Sequence, residues 1–477
     1  MRAEPQPAAY TPDPRILSVA DWLGDAVPPA EFPRTDLRWR NRQWDRAVGL
    51  GDLSDGEWIA HFGRFEPLPE NLPRPLALRY HGHQFRVYNP DIGDGRGFLF
   101  AQMRDGAGRL LDCGTKGSGL TPYSRTADGR LTLKGAVREI LATEMLEALG
   151  VYTSKTFSVI ETGEALERGD EPSPTRSAVL VRLSHSHIRI GSFQRLAALD
   201  EIDHLRQLVD YCLAEFPGPL PPEDAPGRDD PPVVLMHQAV ERLADLAASY
   251  MVAGFVHGVL NSDNMNITGE SFDYGPWRWL PRWDPAFTAA YFDHAGLYAF
   301  GRQPEAIRWN LAQLAIALRP LVDAPPLVAA IERFPDLYHQ AMARRFTWRL
   351  RVESLGPERD FALIGAAEDA MRGADIGPDA FFFRHRGGRD AAGPLADALA
   401  GHAPLPGADH PYWSGAAPES MLIDEVEAIW DAIADRDDWD PLAAKIAGVR
   451  AMGAALGEPP VPAGHRQAQP GRRAEIV

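Results

Sequence analysis

Two cysteines in 477 residues, Cys113 and Cys212, follow no ligand or disulfide spacing, so a reduced, cytoplasmic setting is expected. No apolar run approaches the roughly 18–20 residues of a membrane span. The opening MRAEPQPAAYTPDP lacks the hydrophobic core of a secretory signal. Positive charge is in deficit. The net charge of −17 argues against nucleic acid or an anionic membrane as partner, yet leaves room for a local basic pocket. No internal repeat is found. What is present, 45% hydrophobic and 24% charged residues, is the composition of a soluble globular enzyme with a large core.

Five stretches follow from the pattern. Residues 1–75, rich in Pro, Trp and Arg, are expected to form an irregular, wrapping N-terminal extension. Residues 76–185 form a strand-rich lobe. Its short apolar runs FRVYN, GFLFAQMR and RLLDCGTK alternate with Gly-Asp-Gly and Asp-Gly-Ala-Gly turns. Further strands are expected at Thr156–Thr162 and Ala178–Leu183. Ahead of these two, Leu133–Leu149 reads as a helix closed by Gly150 and apolar on more than one side, hence buried between layers. Residues 186–330 form a helical lobe, with a proline-rich loop over 217–232 and helices over Val233–Val252 and Ile307–Leu318. Residues 331–457 read as a C-terminal helical region and 458–477 as a flexible tail. The expectation is an α+β, two-lobed nucleotide clamp.

The chemistry concentrates in Phe255–Gly275, FVHGVLNSDNMNITGESFDYG. Kinase-like phosphotransferases carry a similar H-x-D-x-x-x-x-N segment followed by a metal-binding aspartate. His257 and Asn264 reproduce that interval, but Val259 stands where a kinase keeps its catalytic aspartate. Asn264 and Asp273 flank what reads as a strand, a Gly-Glu turn and a second strand. Such a hairpin would bring an amide oxygen and a carboxylate to one divalent ion, the alternative being an Asn-Asp turn with a capping aspartate. Asp263 is the free carboxylate of the loop and the candidate base, or else a loop-orienting residue. His257 is expected to support the loop.

Phosphate binders are sought among glycine-rich turns and cations. Asp91–Gly97 (DIGDGRG) supplies Gly93, Gly95 and Arg96, whose backbone amides and guanidinium suit an anion. Lys116 ends an apolar strand and Glu139 lies on the following helix, as in the kinase lysine–glutamate pair. Asp128 and Gly129 occupy another Asp-Gly turn. Arg182 and Arg189 serve one site only if a turn or bulge near Ser184–His187 reverses strand alternation. The pairs His81/His83 and His185/His187 lack the further ligands of a zinc site.

Taken together, GHQF, GDGRG, TKGSGLTPYSR, DGR, VREILATE, SHIRIGSF, GFVHGVLNSDNM and FDYGP closely resemble the selenoprotein O (YdiU-type) family, in that family's order across residues 77–320. The resemblance implies a protein-kinase-like two-lobed fold with N- and C-terminal extensions. It implies transfer of AMP from ATP, and in some members UMP from UTP, to Ser, Thr or Tyr hydroxyls of proteins, with magnesium or manganese. It makes Lys116 and Glu139 the ion pair, Asn264 and Asp273 the metal ligands and Asp263 the base. Gly93, Gly95, Arg96, Asp128, Gly129, Arg182, Arg189 and Asp273 become nucleotide contacts. Arg86 replaces a family glycine, AQM replaces Leu-Gly-Glu, and no cysteine follows Cys212 where many relatives carry a redox residue. A protein kinase and a catalytically inactive nucleotide-binding regulator are the alternatives.

Overall fold

Leu110–Lys116 is buried along its whole length, which places it at the centre of a sheet. The computed structural model describes residues 5, 7–169, 171–407 and 410–460. In it this strand pairs antiparallel with Leu99–Arg104 on one side and Thr175–Ser184 on the other. Lys155–Leu166 and Asp36–Arg40 continue the sheet beyond Thr175–Ser184, and Leu76–Leu78 and Gly24–Ala26 continue it the other way. The residues expected as an irregular extension therefore supply both edge strands, together with a helix over Asp55–Phe62. Their Pro and Trp content hid this because the strands are short and only partly buried. Trp58 and Phe62 reach under the sheet and pack on Phe157.

The expected FRVYN strand is instead split by a turn. Gly82–Gln84 pairs with Val87–Asn89, and Phe85 and Arg86 sit at φ 50° and 63° between them. A type I′ two-residue hairpin loop takes both central residues at positive φ, as here, so the chain reverses where an unbroken strand was expected. Arg86 holds this conformation with a side chain, ion-paired to Glu305 at 2.8 Å and lying over the Trp309 ring.

The helix Leu133–Ala148 begins where the Thr132 hydroxyl accepts from the Gly135 N–H, satisfying an otherwise orphaned donor. It is buried on most sides, as its sequence requires, between the sheet and the helix Asp440–Leu456. Glu144 on it is gripped by Arg450 at 2.7 Å, and Lys134 reaches Glu427 at 2.6 Å. The long buried helix Pro231–Ala253 opens on Pro231 and Pro232, shortening the expected loop. It closes at Gly254 (φ 66°), which leads into the site segment. Gln303–Leu318 matches its expected helix. Most of the expected tail, residues 461–477, lies outside the described residues.

Replacing Arg450 by Ala would leave Glu144 buried without its main counter-charge. Because the guanidinium is partly solvated, the expected loss is about 1–2 kcal/mol, less than for a fully buried pair. A lowered urea midpoint at unchanged slope is the readout.

Candidate active site

Lys116 ends the central strand and Glu139 faces it from the adjoining helix. Their Nζ–Oε2 separation is 2.5 Å, and both side chains are buried. Lys116 Nζ also lies 3.3 Å from Asp273. Asp273 takes φ 61°, a left-handed conformation that Asp tolerates better than most side chains, directly after the buried Phe272. Its carboxylate is then met by Arg182 on one oxygen and by Arg189 at 2.5 Å on the other. Both guanidiniums stand over the Phe272 ring, at 5.0 and 4.7 Å from its centroid, and Arg189 is backed by Tyr80 at 4.4 Å. Burial opposes ionisation of Asp273, but Arg182, Arg189 and Lys116 outweigh it and hold the carboxyl well below its ordinary range.

Arg182 and Arg189 converge as the sequence required. The strand stops at Ser184, Ser186 turns at φ 97°, and Arg189 caps the helix Ile190–Ala198. Arg189 Nη1 further donates to the Asp263 carbonyl at 2.7 Å, which ties the loop Ser262–Asn264 to the cation cluster. The Asp263 carboxylate is different in kind. Its Oδ1 is buried without a hydrogen-bond partner, and burial pushes its pKa up to about 6 against the pull of Arg189. It packs against Gly82, where a Cβ would stand 3.1 Å from the Asp263 Cβ. His257 is a supporting residue, buried with Nε2 3.1 Å from the Phe272 carbonyl.

The expected hairpin between Asn264 and Asp273 does not form as a ladder. Asn266 bridges to Arg189 and Ser271 to Thr153, with a turn closed by Gly269 N–H to Asn266 at 2.9 Å. Each half is too short to outcompete these neighbouring segments for backbone hydrogen bonds. Asn264 is fixed instead by its amide, whose nitrogen donates to the Val259 carbonyl at 2.9 Å. Among the described residues no group of three or more His, Cys, Asp or Glu is placed to hold a metal. With the amide nitrogen pinned, Asn264 keeps its carbonyl oxygen for an ion, whereas both Asp273 oxygens are already met by Arg182 and Arg189. An ion held by both residues would have to complete its shell with phosphate and water beside those guanidiniums.

The other expected contacts have protein neighbours of their own. A Cβ on Gly93 would stand 2.5 Å from the Tyr123 ring, and one on Gly95 would stand 2.9 Å from the Tyr123 carbonyl oxygen. Protein packing therefore uses the space these glycines leave. Arg96 is exposed, while its carbonyl accepts from Gly117 at 2.7 Å, beside Lys116. Asp128 pairs with Arg168 at 2.8 Å in an exposed turn, and Gly129 (φ 70°) abuts Gly119. The four rings of the His-x-His pairs each engage different protein neighbours.

Sequence reasoning missed a buried relay. His187 Nε2 accepts from Arg182 Nε at 2.9 Å, and its Nδ1 lies 3.2 Å from Asp112. Burial, and then the Arg182 charge, lower the His187 pKa, so the ring is neutral and able to accept. Gly114 makes room, since a Cβ there would stand 2.1 Å from His187 Nε2. Asp94 adds a longer contact to Arg189 at 3.4 Å. His187 stood in the SHIRIG motif; only the turn at Ser186 reveals which arginine it meets.

A carboxylate ringed by three cations beside a second, raised-pKa acid is an anion-handling centre, and comparison with known proteins gives its class. The family model described as "Protein adenylyltransferase SelO" matches residues 8–389. "Protein nucleotidyltransferase YdiU" of Synechococcus elongatus is 42% identical over 91% of this chain and 93% of its own. The Synechocystis protein of the same name is 40% identical over 90% and 96%, and that of Trichodesmium erythraeum 48% over 72% and 73%. These matches define a nucleotidyl-transfer enzyme. The chain belongs to the SelO/YdiU family of protein nucleotidyltransferases.

Replacing His187 by Leu removes the acceptor that orients Arg182. The ATP KM is expected to rise about tenfold, the value of one charge-assisted hydrogen bond, with kcat less affected. His187→Asn, which keeps an acceptor, should recover part of the loss; steady-state kinetics on both variants checks this.

Proposed function

We propose that the chain transfers AMP from ATP to Ser, Thr or Tyr hydroxyls of proteins on a kinase-like scaffold. The cation ring around Asp273, next to the Asp263 carboxylate with its buried, unbonded Oδ1, is the observation that supports this most directly. Lys116, Arg182 and Arg189 hold the outer phosphates, so that pyrophosphate departs as a charge-neutralised leaving group. Asp263 accepts the proton of the acceptor hydroxyl as its oxygen bonds to the α-phosphorus and the bond to the β-phosphate oxygen breaks. Val259 cannot take that role. Asn264 and Asp273 would hold a magnesium or manganese ion, which supplies Lewis-acid stabilisation of phosphoryl charge when bound. Glu139 keeps Lys116 in place. Gly93, Gly95, Arg96, Asp128 and Gly129 are nucleotide contacts on the family resemblance alone. UTP as an alternative donor is part of the same reading.

A cytoplasmic setting is part of the same reading; no described helix is long and apolar enough to cross a membrane, and both cysteines are free and buried.

ATP labelled at the α-phosphate is expected to label acceptor protein, and γ-labelled ATP is not; retention of γ-label alone would make the chain a kinase. Asp263→Asn should lower transfer by roughly 10²–10⁴-fold with ATP binding retained. Asp273→Ala should abolish metal-dependent ATP binding with the thermal unfolding transition still cooperative, and normal binding by that variant would remove Asp273 from the site.

A further inference from the structure

Beside Asp263 the surface turns aromatic. Tyr291 is 84% exposed, Phe292 43% and Val87 70%, unusually open for large apolar side chains so near a reaction centre. Phe292 stands 5.1 Å from Tyr291 and 5.7 Å from Phe85 between ring centroids, and Phe85 stands 5.0 Å from Tyr298. Val87 follows at the hairpin tip, which the Arg86–Glu305 pair pins to the helix Gln303–Leu318. This band is bolted to the catalytic loop. The Phe85 N–H donates to Asn261 Oδ1 at 3.0 Å, the Tyr298 hydroxyl donates to the same oxygen at 2.7 Å, and the His83 N–H donates to Ser262 Oγ at 2.7 Å. Hydrogen bonds thus tie the Phe85 and Tyr298 end of this band to the loop that carries Asp263.

We propose that this band docks the acceptor protein, and that it takes a segment with an apolar or aromatic side chain a few residues from the hydroxyl to be modified. The inference rests on the reading of Asp263 as the base. Any protein that brings a hydroxyl to Asp263 must cover the rim around it, and on this side the rim joins exposed apolar and aromatic side chains to the charged Arg86–Glu305 pair; the apolar part gains from being covered. The chain carries a net charge of −17, so a strongly acidic acceptor segment is disfavoured on approach.

The test uses the full chain, ATP and magnesium with peptides bearing one Tyr, Ser or Thr. Phe or Leu is placed at each flanking position against a Gly/Ser background. Transfer is read by mass spectrometry and binding by fluorescence anisotropy. An apolar residue at a fixed offset should raise kcat/KM about tenfold or more. The double variant Tyr291→Ser/Phe292→Ser should erase that preference through the peptide KM, with ATP affinity unchanged. Transfer that shows no apolar preference, or a preference the double variant keeps, overturns the docking surface and leaves the nucleotidyl-transfer reading standing. Apolar-selective peptide binding without AMP incorporation sinks the transfer reading alone. A dimer in sedimentation that the double variant dissociates at unaltered peptide KM would make the band an interface between copies, which also overturns the proposal.

Discussion

A single buried carboxylate organises the molecule's working end. Asp273 would be costly to ionise where it stands, and it is stable only because Lys116, Arg182 and Arg189 converge on it. That demand explains distant parts of the sequence. The central strand must end at Lys116, the next strand must stop at Ser184, and the chain must turn at Ser186 to present Arg189. The left-handed backbone of Asp273 and the aromatic floor of Phe272 complete the arrangement. Without phosphate present, the aspartate keeps the three cations gathered. If ATP binds here as proposed, its phosphates meet positive groups already close together, and little binding energy goes into assembling them.

The two acids of the site differ for reasons their surroundings make plain. Asp273 faces three full positive charges and stays ionised. Asp263 shares only a backbone carbonyl contact with Arg189, lies against Gly82, and holds its proton more tightly. Two aspartates ten residues apart in sequence thus acquire opposite acid–base character.

Much of this was legible in the sequence. The helices on either side of the Phe255–Gly275 segment followed from periodicity, the Lys116–Glu139 pair from likeness to the kinase lysine–glutamate pair, and a turn between Arg182 and Arg189 as the condition for both to serve one site. Other features were not. The edge strands Gly24–Ala26 and Asp36–Arg40 are too short for alternation to register, and they exist because neighbouring strands offer them hydrogen bonds. The hairpin expected between Asn264 and Asp273 lost to pairings with Arg189 and Thr153, residues far off in the chain. Gly93 and Gly95 read as an anion cradle in the sequence; that Tyr123 also packs against them is visible only in three dimensions. His187 needed three-dimensional knowledge of both Gly114 and Arg182 before any role could be read.

The helix bearing Glu139 leans on Arg450, 306 positions after Glu144, and on Glu427. During synthesis that helix gains its outer wall only once the last described helix has left the ribosome. A chain that stops before Asp440 therefore exposes a flank of the very element that steadies Lys116.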